Sequence, residues 1–209
     1  VLRRIAGLYV IIDPDACAER GTVETARLAL EGGAAVLQWR DKRRDKGVQL
    51  ADARAIAALS GEHGALLIVN DHADLALATG ADGVHLGQND LPIDAVRAIV
   101  GRDFIIGAST NNADEATHAE AAGADYVAVG AIFPTVSKDV TRPANLDRIR
   151  EVKAAVRLPV VAIGGINASN IASVVEAGAD AAAVISAVCA AADPRTAAAT
   201  LAAAFAPRS

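Results

Sequence analysis

Short runs of apolar residues alternate along this chain with longer, alanine-rich stretches whose apolar positions follow a helical period. The short runs fall at residues 8–12, 35–39, 66–70, 83–86, 104–108, 126–129, 160–163 and 181–185. Each is only four or five residues long and most are rich in Val, Ile and Leu, which reads as a strand covered on both faces rather than as a helix. A helical stretch follows every one of them, so the pattern predicts eight βα units.

Four of the strands are announced by the same punctuation, Gly33-Ala34-Ala35, Gly80-Ala81-Asp82, Gly123-Ala124-Asp125 and Gly178-Ala179-Asp180. A glycine just past a helix takes the left-handed cap conformation, and the next residues lead directly into a strand, which makes a short αβ connection. These are the even-numbered strands, and a signal recurring every second unit is what pairwise repetition around a closed parallel sheet leaves behind. A doubly wound open sheet is the competitor. Its nucleotide-binding form requires Gly-x-Gly-x-x-Gly after the first strand, where this chain has Asp13-Pro14-Asp15. The expected fold is therefore α/β, a single (β/α)8 TIM barrel occupying 1–209 as one domain, with its active site at the carboxyl face of the strands. The chain is small for that architecture, so its loops should be short, except for residues 133–145 after the sixth strand, which gather hydroxyls, a lysine, an arginine and two prolines.

Bulk composition narrows the partners. With 209 residues and 53% hydrophobic content the chain can bury a sizeable core. A net charge of −5 and only 3% aromatic residues argue against nucleic acid. The most apolar stretch, 181–192, is interrupted by Ser186 and is too short for the roughly 20 residues of a spanning helix, so no membrane segment is expected. The amino end carries no signal-like block, and a cytoplasmic location is expected. Cys17 and Cys189 lack metal-ligand spacing and read as buried thiols.

Candidate chemistry lies at the strand exits. Gln38, Arg40 and Lys42 alternate along the end of the second strand and so share one face, while Trp39 and Asp41 point elsewhere. An Arg fork and a Lys point charge suit a phosphate or diphosphate, although Arg43, Arg44 and Lys46 follow at once and a solvated basic turn is the alternative. Strand three ends in Asn70-Asp71, strand four runs through His85 to Gln88 and Asp90, strand five yields Ser109, and strand six leads to Thr135, Ser137 and Lys138. Asp71 and Asp90 come from adjacent strands and can share one hard cation such as Mg2+. Each also reads as a helix cap, Asp71 before the third helical stretch and Asp90 before Leu91-Pro92. Gly164-Gly165, before a helix expected near Asn167, lets backbone N–H groups approach a phosphate, and Ser186 adds a hydroxyl; a tight turn is the other reading of the diglycine. His85, inside a strand, reads as a hydrogen-bonded core histidine. No Ser-His-Asp arrangement or thiol nucleophile can be assembled from these exits, so the chemistry should rest on charge stabilisation rather than a covalent enzyme intermediate. Two phosphate-binding regions imply two phosphorylated small molecules being joined.

With these motifs in this order, from Leu8-Tyr9-Val10 through Gln38-Trp39-Arg40-Asp41-Lys42, Asn70-Asp71, residues 83–90, residues 130–138 and residues 162–166 to Ile185-Ser186, the chain resembles the thiamine-phosphate synthases. The resemblance implies a Mg2+-dependent transferase. It would condense 4-amino-2-methyl-5-hydroxymethylpyrimidine diphosphate with 4-methyl-5-(2-phosphooxyethyl)thiazole, through a dissociative pyrimidine-cation mechanism. It assigns Gln38, Trp39, Arg40, Asp41, Lys42, Asn70, Ser109 and Lys138 to the pyrimidine diphosphate, and Thr135, Val136, Ser137, Gly165, Ile185 and Ser186 to the thiazole phosphate. It places Asp71 and Asp90 on the metal, and gives catalytic roles to Arg40, Lys42, Ser109 and Lys138. Residues 133–145 would form a lid. Many members read Ser-x-His after strand five, whereas this chain has Ser109-Thr110-Asn111. A thiazole tautomerase on the same fold, which relies on that histidine, is the nearest rival, followed by a non-catalytic phosphate-ligand sensor and by other phosphosugar barrel enzymes. The alanine-rich helices permit a homodimer.

Overall fold

The computed structural model describes residues 5–135 and 144–206. In chain order the elements are β1 Gly7–Ile12, α1 Pro14–Cys17, α2 Thr22–Glu31, β2 Val36–Trp39, α3 Lys46–Glu62, β3 Leu66–Asn70, α4 Ala73–Thr79, β4 Gly83–Leu86 and α5 Ile93–Val100. They continue with β5 Ile105–Thr110, α6 Ala113–Ala121, β6 Tyr126–Val129, α7 Leu146–Ala155, β7 Val160–Ile163, α8 Ile171–Glu176, β8 Ala181–Val184, α9 Ser186–Cys189 and α10 Pro194–Ala202. All eight strands pair in parallel in sequence order, and β8 closes on β1 through Gly7↔Ala181 to Val10↔Val184. This is the (β/α)8 barrel that the alternating pattern predicts.

The alternation along each strand divides the core in two. Leu8, Val10, Ile12, Leu37, Trp39, Leu67, Val69, Val127 and Val129 face the helices and join the larger apolar cluster. Tyr9, Ile11, Val36, Leu66, Ile68, Tyr126, Ala128, Val161 and Ala183 face the barrel axis. Inside, bulk is matched to absence of bulk: Tyr126 lies across from Gly107, where an added Cβ would stand 2.0 Å from its ring. On the outside, Gly32 lets α2 meet the backbone of α10, since a Cβ there would come within 2.4 Å of Arg195 O.

The recurrent Gly-Ala-Asp signal has a second function that its glycine does not announce. Asp82, Asp125 and Asp180 each turn a carboxylate onto the first amides of the preceding strand, accepting from Leu67, Ile106 and Val160 at 2.8 Å. Their own N–H groups donate back to Leu67, Ile106 and Val160 carbonyls. Donors at the amino ends of β3, β5 and β7 are thus satisfied at the stability face, opposite the strand exits.

Two expectations are corrected. The helix after β7 begins at Ile171 rather than near Asn167, because Asn167 to Asn170 form their own turn, with Asn167 N donating to Asn170 Oδ1 at 2.9 Å. Asp90 does not cap α5: the cap position is Pro92, and the Asp90 carboxylate folds back to accept from Gly87 N at 2.6 Å. Cys17 and Cys189 are buried and free, as expected. Among the described residues no helix is long and apolar enough to cross a membrane.

Candidate active site

Lys42, Asp71 and Asp90 come together at the exits of β2, β3 and β4. Lys42 Nζ stands 3.4 Å from Asp71 Oδ2. Asp71 adopts the left-handed backbone conformation, φ 63°, and its N–H donates to His85 O on the neighbouring strand at 2.8 Å. A non-glycine residue in that region costs about 1–2 kcal/mol, and such strain tends to persist where it aims a side chain. His72, not Asp71, occupies the cap position of α4, so neither carboxylate serves as the helix cap that the sequence also allowed. Burial raises the Asp90 pKa from its ordinary value; the Gly87 N–H opposes this, and the adjacent Asp71 carboxyl reinforces it. Two carboxylates side by side with one of them reluctant to ionise are a donor set suited to a hard divalent cation. Among the described residues no group of three or more His, Cys, Asp or Glu could hold a metal. The remaining oxygens would have to come from a ligand or water.

Arg40 is paired with Asp13 at the end of β1, and both side chains are largely buried. Its Nε has no hydrogen-bond partner among the described residues. Trp39 and Asp41, which the family resemblance assigns to the substrate, are turned away from the strand exits. Trp39 is 1% exposed, donates from Nε1 to Gln49 Oε1 at 3.2 Å, and lies under the Arg44 guanidinium. Burial opposes ionisation of Asp41, but the amides of Arg43 and Arg44 and the Arg44 guanidinium outweigh it and hold the carboxyl below its ordinary pKa. These residues clamp the loop that carries Arg40 and Lys42, and they belong to the support of the site.

Gln38 points along the barrel axis into a cavity of ≈ 40 Å³ that Tyr9, His85, Ser109 and Tyr126 also line. Its Nε2 donates to Tyr9 Oη at 2.7 Å, and its Oε1 is buried without a partner among the described residues. Tyr9 meets Tyr126 at 3.0 Å, His85 Nδ1 meets Tyr126 Oη at 2.9 Å, and His85 Nε2 meets Ser109 Oγ at 2.9 Å. His85 is thus the bonded core histidine expected, yet its partners make it the link between the core and the site. Neither tyrosine was singled out from the sequence for chemistry; the available signal was that both share the inward parity of Gln38 and His85. Asn70 is buried beside His85 in the β3–β4 register.

On the opposite side, Gly164 and Gly165 both have positive φ, 102° and 64°. A Cβ at Gly165 would lie 2.6 Å from Pro134 O and 2.8 Å from Phe133 Cβ. The diglycine therefore admits the loop after β6, independently of any phosphate. Ser186 opens α9 directly after Ile185. Thr135 is the last described residue of its loop; Val136, Ser137 and Lys138, and with them most of the expected lid, lie outside the described residues. Asn111, which replaces the common histidine, bonds Gly130 O through Nδ2 at 3.1 Å and ties the fifth loop to the end of β6.

Cations, carboxylates and a polar cavity gathered at the carboxyl ends of eight parallel strands define a (β/α)8 barrel enzyme. The family model described as thiamine monophosphate synthase matches residues 8–188. The thiamine-phosphate synthase of Shouchella clausii is 48% identical over 172 residues, 82% of each chain, and that of Methanoculleus marisnigri is 50% identical over the same length. The solved thiamine phosphate pyrophosphorylase of Pyrococcus furiosus superposes with a TM-score of 0.89, at 40% identity and 98% coverage of both chains. A 3-hexulose-6-phosphate synthase, at 22% identity and a TM-score of 0.69, shares the fold. The chain belongs to the thiamine monophosphate synthase family, whose members are transferases.

Proposed function

We propose that this chain joins 4-amino-2-methyl-5-hydroxymethylpyrimidine diphosphate to 4-methyl-5-(2-phosphooxyethyl)thiazole, giving thiamine phosphate and diphosphate. The observation that carries the reading is the cluster of Lys42, Asp71 and Asp90 at the strand exits, where Asp71 N–H is bonded to the carbonyl of His85, a residue that lines the same cavity as Gln38 and Ser109. Charge-handling groups for a leaving diphosphate stand there beside a small polar recess for a ring.

Gln38, Asn70 and Ser109 bind the pyrimidine, and Arg40, Lys42 and Lys138 hold its diphosphate. Thr135, Val136, Ser137, Gly165, Ile185 and Ser186 hold the thiazole phosphate. Asp71 and Asp90 would hold Mg2+, which supplies positive charge to the diphosphate oxygens. The bond from the pyrimidine methylene carbon to the diphosphate oxygen breaks with its electron pair leaving on diphosphate, and the thiazole nitrogen lone pair closes on the resulting carbocation. No proton needs to be abstracted by the chain in these steps. Stabilising the charge that develops on the leaving group is the main demand, and each well-placed donor contributes about 3 kcal/mol to it. Orientation of the second ring supplies the rest.

The test is formation of thiamine phosphate and diphosphate from the two purified substrates, with and without Mg2+. Metal-dependent product supports the reading, and its absence at saturating concentrations of both substrates overturns it.

A further inference from the structure

The chain has two tyrosines, and both are fully buried inside the barrel and joined oxygen to oxygen. They connect Gln38 at one side of the cavity to His85 and Ser109 at the other. Burial pushes both phenol pKa values up, so both hydroxyls keep their protons. The positions of those protons follow from counting donors. Gln38 Nε2 donates to Tyr9 Oη, which leaves the single Tyr9 proton for Tyr126 Oη. Tyr126 then gives its own proton to His85 Nδ1. That nitrogen is bare, the ring proton sits on Nε2, and it is donated to Ser109 Oγ. The exposed Ser109 hydroxyl retains its proton for the mouth of the site.

The reverse order is complete only if the Gln38 amide turns over and every proton shifts with it. It would then leave the whole amino group of Gln38 facing the cavity, instead of one carbonyl oxygen. A bare buried carbonyl is tolerated more readily than bare N–H groups, and any mixed order strands a buried donor or acceptor and carries its full desolvation penalty. The row of bonds therefore has a direction.

The geometry points to Tyr9, Tyr126 and His85 as positioning residues of a polarised relay that presents Gln38 as an acceptor and Ser109 as a donor to the same ligand ring. A ring with an amino group beside a bare ring nitrogen matches both ends. A ring with an oxo group beside a ring N–H opposes both, and binding it requires reversing the relay. The inference rests on the proposed function for the identity of the ring, and deepens it: the relay is the device that separates an aminopyrimidine from its oxo counterpart.

Two measurements on the full chain test it. The first is nitrogen NMR of protein carrying 15N-labelled histidine, with the His85 signals assigned by their loss in His85→Gln. His85 is expected as the neutral tautomer protonated on Nε2, with Nδ1 shifting in Tyr126→Phe; a proton on Nδ1, or no response to Tyr126→Phe, overturns the relay. The second is calorimetric binding of the aminopyrimidine diphosphate and its 4-oxo analogue, without the thiazole phosphate. Tyr9→Phe keeps the ring and cuts the link to Gln38, so the preference for the amino compound is expected to fall by about tenfold while thiazole phosphate affinity is unchanged. An undiminished preference in a Tyr9→Phe protein with a cooperative thermal melt overturns the relay. A wild type that shows the expected tautomer and preference but forms no product overturns the proposed reaction and leaves the relay supported.

Discussion

Replacing Gly165 by alanine separates backbone strain from the packing of the loop after β6. At φ 64° an L-residue costs about 1–2 kcal/mol. The new Cβ would also meet Pro134 O at 2.6 Å and Phe133 Cβ at 2.8 Å, so the loop must retreat by about 0.8 Å to regain ordinary contact at 3.4 Å. Gly64 provides the control: it has nearly the same φ, 68°, and nothing within 4 Å of an added Cβ. Gly64→Ala is therefore expected to lower Tm by roughly 2–8 °C through strain alone and to leave turnover in place. Gly165→Ala should lose at least as much stability, and its kcat/KM for the thiazole phosphate should fall by about 100-fold, the typical cost of misplacing a substrate-positioning group by ~1 Å. Differential scanning calorimetry and steady-state kinetics on the two variants give the comparison. If Gly165→Ala matches Gly64→Ala in both readouts, the contact between this loop and the diglycine does not set the geometry of the site.

Protons compete with a cation for carboxylates. Because Asp90 has a raised pKa, the Mg2+ concentration for half-maximal activity should climb as pH falls toward that value. Asp90→Asn should raise the requirement at all pH values, measured by metal titration of the rate. Arg40→Lys keeps a charge but loses the fork and the geometry of the Asp13 pair; kcat/KM for the pyrimidine diphosphate is expected to drop by about 10–100-fold in the product assay. Lys138→Ala should reduce kcat by about 100-fold, near 3 kcal/mol, with Tm moving little in a thermal melt. Trp39→Phe removes a buried bond to Gln49; chemical denaturation should show a loss of about 1–2 kcal/mol, with a smaller change in the KM of either substrate.

The strands were legible because each is a run of apolar residues buried on both faces and bounded by glycine or acidic turns, and four of the eight, 66–70, 83–86, 126–129 and 160–163, begin and end where the pattern places them. The fifth is displaced: Ile105–Thr110 extends past Ala108 because Ser109 and Thr110 pair with Ala128 and Val129 of β6, and hydroxyl residues at a strand end carry no apolar signal. Strand parity also placed Gln38, Arg40 and Lys42 on one side and Trp39 and Asp41 on the other, which the buried Trp39 and the loop-clamping Asp41 bear out. What parity could not supply is contact across the barrel. Tyr9 and Tyr126 are separated by 117 residues and belong to strands that do not pair, and their meeting depends on strand tilt and on the empty space at Gly107. The alternative reading of Asp90 as a cap fails because its sequence context, an acidic residue two before a proline, serves equally for a carboxylate that closes its own loop onto Gly87.

The tyrosine and histidine bonds that floor the site are also part of the apolar filling of the barrel, with Tyr126 wedged against Gly107 and His85 stacked on its ring at 5.5 Å. Substrate choice and foldability are thus written in the same side chains. A descendant of this chain that drifts toward a different ring cannot alter the recess by surface change alone. It must first acquire compensating bulk at neighbours such as Gly107, so that new specificities would arise through pairs of substitutions whose single steps are poorly folded.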